Sequence, residues 1–203
     1  MTLEEAIAKI KPLDHNAMEI AQKRWDSIAK PLHSLGKLET LLIQIAGITG
    51  NAEVDLSRRG LIAMCADNGV VEEGVTQTGQ EVTAIVAENF LKYDTAVGVM
   101  CKQNHAEIFP VDMGMVTDTK VRTDHKIAYG TQNMAKGPAM TREQAIKGIE
   151  AGIAMVEELK AQGYRLFATG EMGIGNTTTS SAMAAVFLGR SPQEVTGYGA
   201  GLS

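Results

Sequence analysis

Arg165-Leu166-Phe167-Ala168-Thr169-Gly170-Glu171-Met172-Gly173-Ile174-Gly175-Asn176-Thr177-Thr178-Thr179-Ser180-Ser181 decides how the rest of the chain is read. Its apolar start, bounded by turn residues, predicts a buried parallel strand. The strand empties into a loop with glycines at 170, 173 and 175, and the hydroxyl-rich segment Thr177 to Ser181 opens the apolar run Ala182 to Phe187, which reads as a helix. Strand, glycine loop and helix start together present free backbone N–H groups to an anion. Glycine permits positive φ and lets a ligand approach without a Cβ in the way. Asn176 and Thr177 are the candidate N-caps, with side chains able to donate to phosphate oxygens. A ligand-free strand-to-helix turn would fit the same spacing, because glycine-rich βα turns are common. Glu171 tips the balance, since folding alone explains poorly a carboxylate in a loop suited to an anion.

Upstream, strand–loop–helix alternation begins at Leu61, the mark of a parallel α/β sheet. Leu61 to Ala66 is a buried strand ending in Asp67-Asn68-Gly69-Val70, and polar groups just past such a strand are where these folds place ligands. Asp67-Asn68-Gly69 is equally readable as a simple turn. A glycine-punctuated loop, 73–83, feeds a helix from Ala84 to Leu91. A further helix spans about 95–103. Residues 107–114 form a strand in which Pro110 marks an edge or irregularity. Thr141 and Gln144 make a capping box that opens a helix from Arg142 to about Ala161. Gly148 and Gly152 on that helix suit close packing against a neighbour. Residues 1 to about 55 read as helical, with Pro12 closing the first helix, Asp14 capping the second and Gly50 ending the third.

Six segments in order carry a family resemblance. Gly170-Glu171-Met172-Gly173-Ile174-Gly175-Asn176-Thr177-Thr178 resembles the signature of the nicotinate-nucleotide:dimethylbenzimidazole phosphoribosyltransferases, which make the lower-ligand nucleotide of cobalamin. Lys30-Pro31-Leu32-His33-Ser34-Leu35-Gly36-Lys37-Leu38-Glu39 is similar to that family's KP-x-x-SLG-x-LE element. Ala66-Asp67-Asn68-Gly69-Val70, with Glu73-Gly74-Val75-Thr76 and Gln80-Glu81-Val82-Thr83, resembles its second signature. Asn68 stands where histidine is common in the family and Gly79 where proline is common, differences that bear on the accepted base more than on the fold. Val111-Asp112-Met113-Gly114 matches a VD-x-G element, and the segment from Gly130 to Met140 resembles GT-x-N-x-x-x-GPAM. Gly197-Tyr198-Gly199-Ala200-Gly201 resembles GRGTG, with Tyr198 and Ala200 substituted.

The resemblance implies an α/β, parallel-sheet, Rossmann-like three-layer domain over 56–203, incomplete at its C-terminus and preceded by a helical region over 1–55. The implied activity is that of a pentosyltransferase, moving the 5-phosphoribosyl group of nicotinate mononucleotide to 5,6-dimethylbenzimidazole or a related base. Glu171 is the implied catalytic carboxylate. Gly173, Gly175, Asn176, Thr177, Thr178, Gly199 and Gly201 would hold phosphate and ribose. Asp67, Asn68, Gln77, Gln80, Val82, Ile85 and Met172 would border the aromatic base. No cofactor or metal is implied, and a homodimer is. Family members are substantially longer, and their presumed general base lies beyond the end of this chain. The chain is therefore expected to be an amino-terminal part; a nucleotide-binding fragment or a non-catalytic partner subunit is the alternative.

Composition agrees. The 203 residues can bury a sizeable core, and 44% apolar content is ordinary for a globular protein. A net charge of −5 without a basic cluster argues against a nucleic-acid partner. No run approaches the roughly 20 apolar residues of a membrane span, and the start lacks a signal peptide, which leads to a cytoplasmic expectation. Cys65 and Cys101 sit in apolar surroundings and read as reduced core residues.

Overall fold

Strand β1 (Arg59–Ala66) lies between β2 (Ala106–Gly114) and β3 (Leu166–Met172), parallel to both, giving the order β2-β1-β3. The computed structural model describes residues 1–200, which fall into two compact units, residues 2–57 and residues from 58 onward.

The second unit is the α/β layer structure that the alternation predicts. Successive residues of β1 point to opposite faces. Ala63 and Cys65 join Ala84, Ala87 and Phe90 of α4 (Glu81–Lys92) and Cys101 of α5 (Ala96–Gln103) in one core. Ile62, on the other face, packs with Val111 of β2 and with Met155 and Leu159 of α6 (Arg142–Ala161). Tyr164 closes that second core, its ring edge-on to Phe109 with centroids 5.2 Å apart. Helices therefore cover both faces of β1 and β2, whereas no residue of β3 is buried, so the buried strand expected from its apolar run is instead a partly open edge strand. Pro110 sits opposite Ala63 in β2, which pairs with no other strand than β1 among the described residues, so its missing N–H breaks no ladder on the outer side. Both cysteines are free and buried, and burial pushes the Cys65 thiol up to about 12, which keeps it protonated.

Local signals set the helix boundaries. Thr141 accepts from the Gln144 N–H while the Gln144 side chain accepts from the Thr141 N–H, and α6 begins there. Among the described residues, Gly148 has open space around it and Gly152 meets only the tip of Met64 at 4.0 Å, without the expected close helix packing. The last helices are α7 (Asn176–Leu188) and α8 (Pro192–Val195).

In the first unit, α2 (His15–Ser27) and α3 (Lys37–Thr49) carry the predicted Asp14 and Gly50 caps, whereas α1 (Leu3–Ala8) ends at its C-cap Lys9, short of Pro12. Asp14 accepts from Ala17 N–H at 3.0 Å and donates its own N–H to Gly47 O at 2.9 Å, tying α2 to the end of α3. The loop between α2 and α3 is stapled by Lys30 and Glu39, 2.9 Å apart and both nearly buried, with Glu39 also accepting from Leu35 N–H.

Candidate functional site

The strand order places the site. β2 lies to one side of β1 and β3 to the other, so the loops leaving β1 and β3 at their carboxyl ends diverge, and a crevice opens between them. A cleft of about 780 Å³ occupies that position. One wall is Val75 to Thr78 from the loop after β1; the other is Met172 to Thr178 with Ser181; Thr196 to Ala200 close a third side.

The turn from β3 into α7 is built by packing as much as by glycine's freedom of φ. Gly175 has φ +85 and is the N-cap of α7, with no side-chain cap. A Cβ on Gly173 would lie 2.3 Å from Ala66 O, so that position admits only glycine whatever its φ. Asn176 and Thr177 are thus helical residues and not the N-caps the sequence suggested. Asn176 turns its amide to Glu171 instead. The N–H groups of Asn176 and Thr178 are spent on Gly173 O and Gly175 O, and Ile174 N–H goes to Thr83 Oγ1. Those of Gly175 and Thr177 carry no hydrogen bond from the described residues. These two donors, at the positive end of a helix and beside Thr177, Thr178 and Ser181, are disposed to take an anion.

Glu171, the penultimate residue of β3, lies next to this turn but is not itself among the residues lining the cleft. Partial burial pushes its carboxyl above the ordinary glutamate range, and the hydrogen bond from Asn176 pulls the other way. A Cβ on Gly173 would come within 3.0 Å of Glu171 Oε1, so the carboxylate folds back over the loop.

Of the residues singled out from sequence, Gly173, Gly175, Asn176, Thr177, Thr178, Gly199, Met172 and Gln77 line the cleft. Gly201 lies outside the described residues. Asp67 is fully buried, its carboxylate accepting from Val116 N–H at 2.8 Å, and it supports the strand ends instead of facing a ligand. Asn68 and Gln80 lie behind the cleft wall, joined by a 3.0 Å bond from Gln80 Nε2 to Asn68 O. Val82 and Ile85, on α4, are not among the lining residues, and Ile85 is exposed. Thr76, Ser181, Thr196 and Tyr198 are lining residues that the sequence reading did not single out. Ser181 had a signal, since it falls one helical turn after Thr177. Among the described residues, no group of three or more His, Cys, Asp or Glu side chains is placed to hold a metal ion, and no helix is long and apolar enough to cross a membrane.

A family model described as "Phosphoribosyltransferase" matches residues 10–203. The chain is 46% identical over 203 residues to the nicotinate-nucleotide–dimethylbenzimidazole phosphoribosyltransferase of Clostridium tetani, covering 99% of this chain and 56% of the relative. It is 50% identical over 205 residues to the protein of that name from Ruminiclostridium cellulolyticum, at 100% and 58% coverage. A crystal structure of CobT from Thermus thermophilus superimposes with a TM-score of 0.84 at 36% identity, over 93% of this chain and 57% of that one. The chain therefore spans a little over half the length of these relatives.

Proposed function

The chain belongs to this phosphoribosyltransferase family, and from that membership and the cleft we propose that it carries the nucleotide-binding half of a nicotinate-nucleotide:dimethylbenzimidazole phosphoribosyltransferase. The observation that carries the reading is the pair of N–H groups of Gly175 and Thr177, unpaired among the described residues, next to Glu171 at the switch point of the sheet. The phosphate of nicotinate mononucleotide sits on the start of α7, held by those donors and the neighbouring hydroxyls. The ribose then extends toward Glu171.

The chemistry asks little acid assistance. As the bond from the ribose anomeric carbon to the pyridinium nitrogen breaks, its electron pair neutralises that nitrogen and nicotinate leaves. Positive charge builds on the ribose carbon, which a carboxylate stabilises. A benzimidazole ring nitrogen donates its lone pair to the anomeric carbon, and the N–H proton at the other ring nitrogen passes to a general base. Glu171 stands at the charged centre, where its carboxylate stabilises the developing positive charge, and burial raises its proton affinity above that of an ordinary glutamate. Met172 and Gln77 border the base from within the cleft, with Gln80, Val82 and Ile85 outside this wall. Gly199 completes the phosphate side. The names of the relatives favour the transferase over a non-catalytic partner. The reading includes a cytoplasmic location and a homodimer, the latter supported by apolar side chains left exposed on α3 and α7.

Two assays test it. Calorimetric titration with nicotinate mononucleotide should give saturable binding to this chain. Turnover to nicotinate and the α-ribazole phosphate, followed chromatographically, should appear on adding dimethylbenzimidazole to a chain extended to the relatives' length. A chain that binds neither the mononucleotide nor the base would overturn the reading.

A further inference from the structure

The peptide at Ile174 is gripped by two elements other than its own. Its N–H donates to Oγ1 of Thr83, a fully buried residue of α4, at 3.1 Å. Its C=O accepts from Asn68 Nδ2 at 3.1 Å. The same carboxamide reaches across the turn, where Asn68 Oδ1 accepts from Thr179 Oγ1, in the first turn of α7, at 2.9 Å. Asn68 is itself fixed: its carbonyl accepts from Gln80 Nε2, and the N–H of the next residue, Gly69, donates to Thr131 Oγ1 at 3.0 Å. The glycines of the turn close down on this amide. A Cβ on Gly173 would lie 2.8 Å from Asn68 Nδ2, and one on Gly175 would lie 3.5 Å from Asn68 Cβ. Asn68 does not line the cleft, so whatever it does there it does through these neighbours.

We infer that Asn68 is the positioning residue of the phosphate loop: its carboxamide ties Ile174 C=O to Thr179 Oγ1 and so holds the Gly175 and Thr177 N–H groups at the cleft wall. The inference rests on the reading of this cleft as the nucleotide site. The side-chain chemistry required is one donor and one acceptor on a short stem. Aspartate keeps the acceptor for Thr179 but sets a carboxylate oxygen against Ile174 C=O. Neutral histidine, with one ring nitrogen donating and the other accepting, can span both partners.

The test compares affinities for nicotinate mononucleotide and for nicotinate riboside, which lacks the phosphate. Calorimetry on this chain covers the wild type, Asn68→Ala, Asn68→Asp, Asn68→His and Thr179→Val, with a thermal melt of each. The wild type should prefer the phosphorylated ligand. Asn68→Ala and Asn68→Asp should lose about 10-fold in mononucleotide affinity, the scale of one hydrogen bond at the strong end, while riboside affinity stays level. Thr179→Val should lose part of the same preference, and Asn68→His should restore most of it. An Asn68→Ala protein that keeps the wild-type phosphate preference, or weakens for both ligands equally, overturns the role of Asn68 and leaves the site standing. Should Asn68→Ala not fold, a Thr179→Val protein with full preference overturns it in the same way. A wild type that binds both ligands equally overturns the site itself, and this inference with it.

Discussion

At Glu171 two influences oppose each other: burial raises the carboxyl's proton affinity and the Asn176 amide lowers it. If the carboxylate must be ionised to work, activity falls as pH drops through that raised value. The acid limb of the rate profile should then lie above the ordinary glutamate range. Asn176→Ala removes the lowering influence, so the limb should move to still higher pH; a limb that stays put would separate Asn176 from Glu171's titration. Glu171→Gln should melt like the wild type yet cut transfer by at least ~100-fold, the usual scale for one acid–base or charge-stabilising group. Turnover near normal would take Glu171 out of the mechanism. Gly173→Ala meets backbone at Ala66 O, which cannot move without the sheet, so about 1–3 kcal/mol of stability and most nucleotide binding should be lost. A melt within a degree of the wild type would contradict that packing.

Among the elements, those with chemical boundary signals were legible in the chain. The Thr141–Gln144 capping box opens α6 where predicted, Asp14 caps α2, and Gly50 ends α3 with φ +66. The start of α7 was not. Hydroxyls and an amide after Gly175 look like caps, but Gly173 and Gly175 are pressed against residues of β1 and the loop beyond it, a long-range fact no local pattern carries. The turn of 3₁₀ helix at Gly69–Glu73 and the single turn of α8 were missed because neither is long enough to show a period. For the site, the glycine turn was visible, whereas the roles of Asp67 and Asn68 depended on which way side chains leave a strand end. The Lys30–Glu39 staple gives the helical unit its own test. The Lys30 ammonium 2.9 Å away, helped by Leu35 N–H, holds the Glu39 carboxyl below its ordinary range. A carboxylate with a depressed folded value contributes stability that is full above the unfolded value and lost as pH falls through the folded one. Acid titration followed by circular dichroism should therefore show Glu39→Gln less stable at neutral pH but with a flatter acid dependence. A parallel curve would place the staple outside the stability of that unit.

Across the whole molecule, the sheet has three strands and β3 pairs only with β1 among the described residues. Helix α7 is apolar along its second half, a pattern that predicts burial. Yet Val186 is 79% and Phe187 77% exposed, and no residue of α7 is buried. A bare strand edge beside such a helix favours association. The 203-residue chain should therefore self-associate or bind a hydrophobic dye, and Phe187→Glu should reduce both by sedimentation and fluorescence. A monodisperse monomer without dye binding would contradict this. None of it alters where the phosphate must go, and that is the point on which the functional account stands. The most direct measurement is a crystal structure of the chain with nicotinate mononucleotide. The account predicts phosphate oxygens within hydrogen-bond distance of the Gly175 and Thr177 N–H groups, with the ribose toward Glu171. An empty turn with the nucleotide bound elsewhere would contradict it.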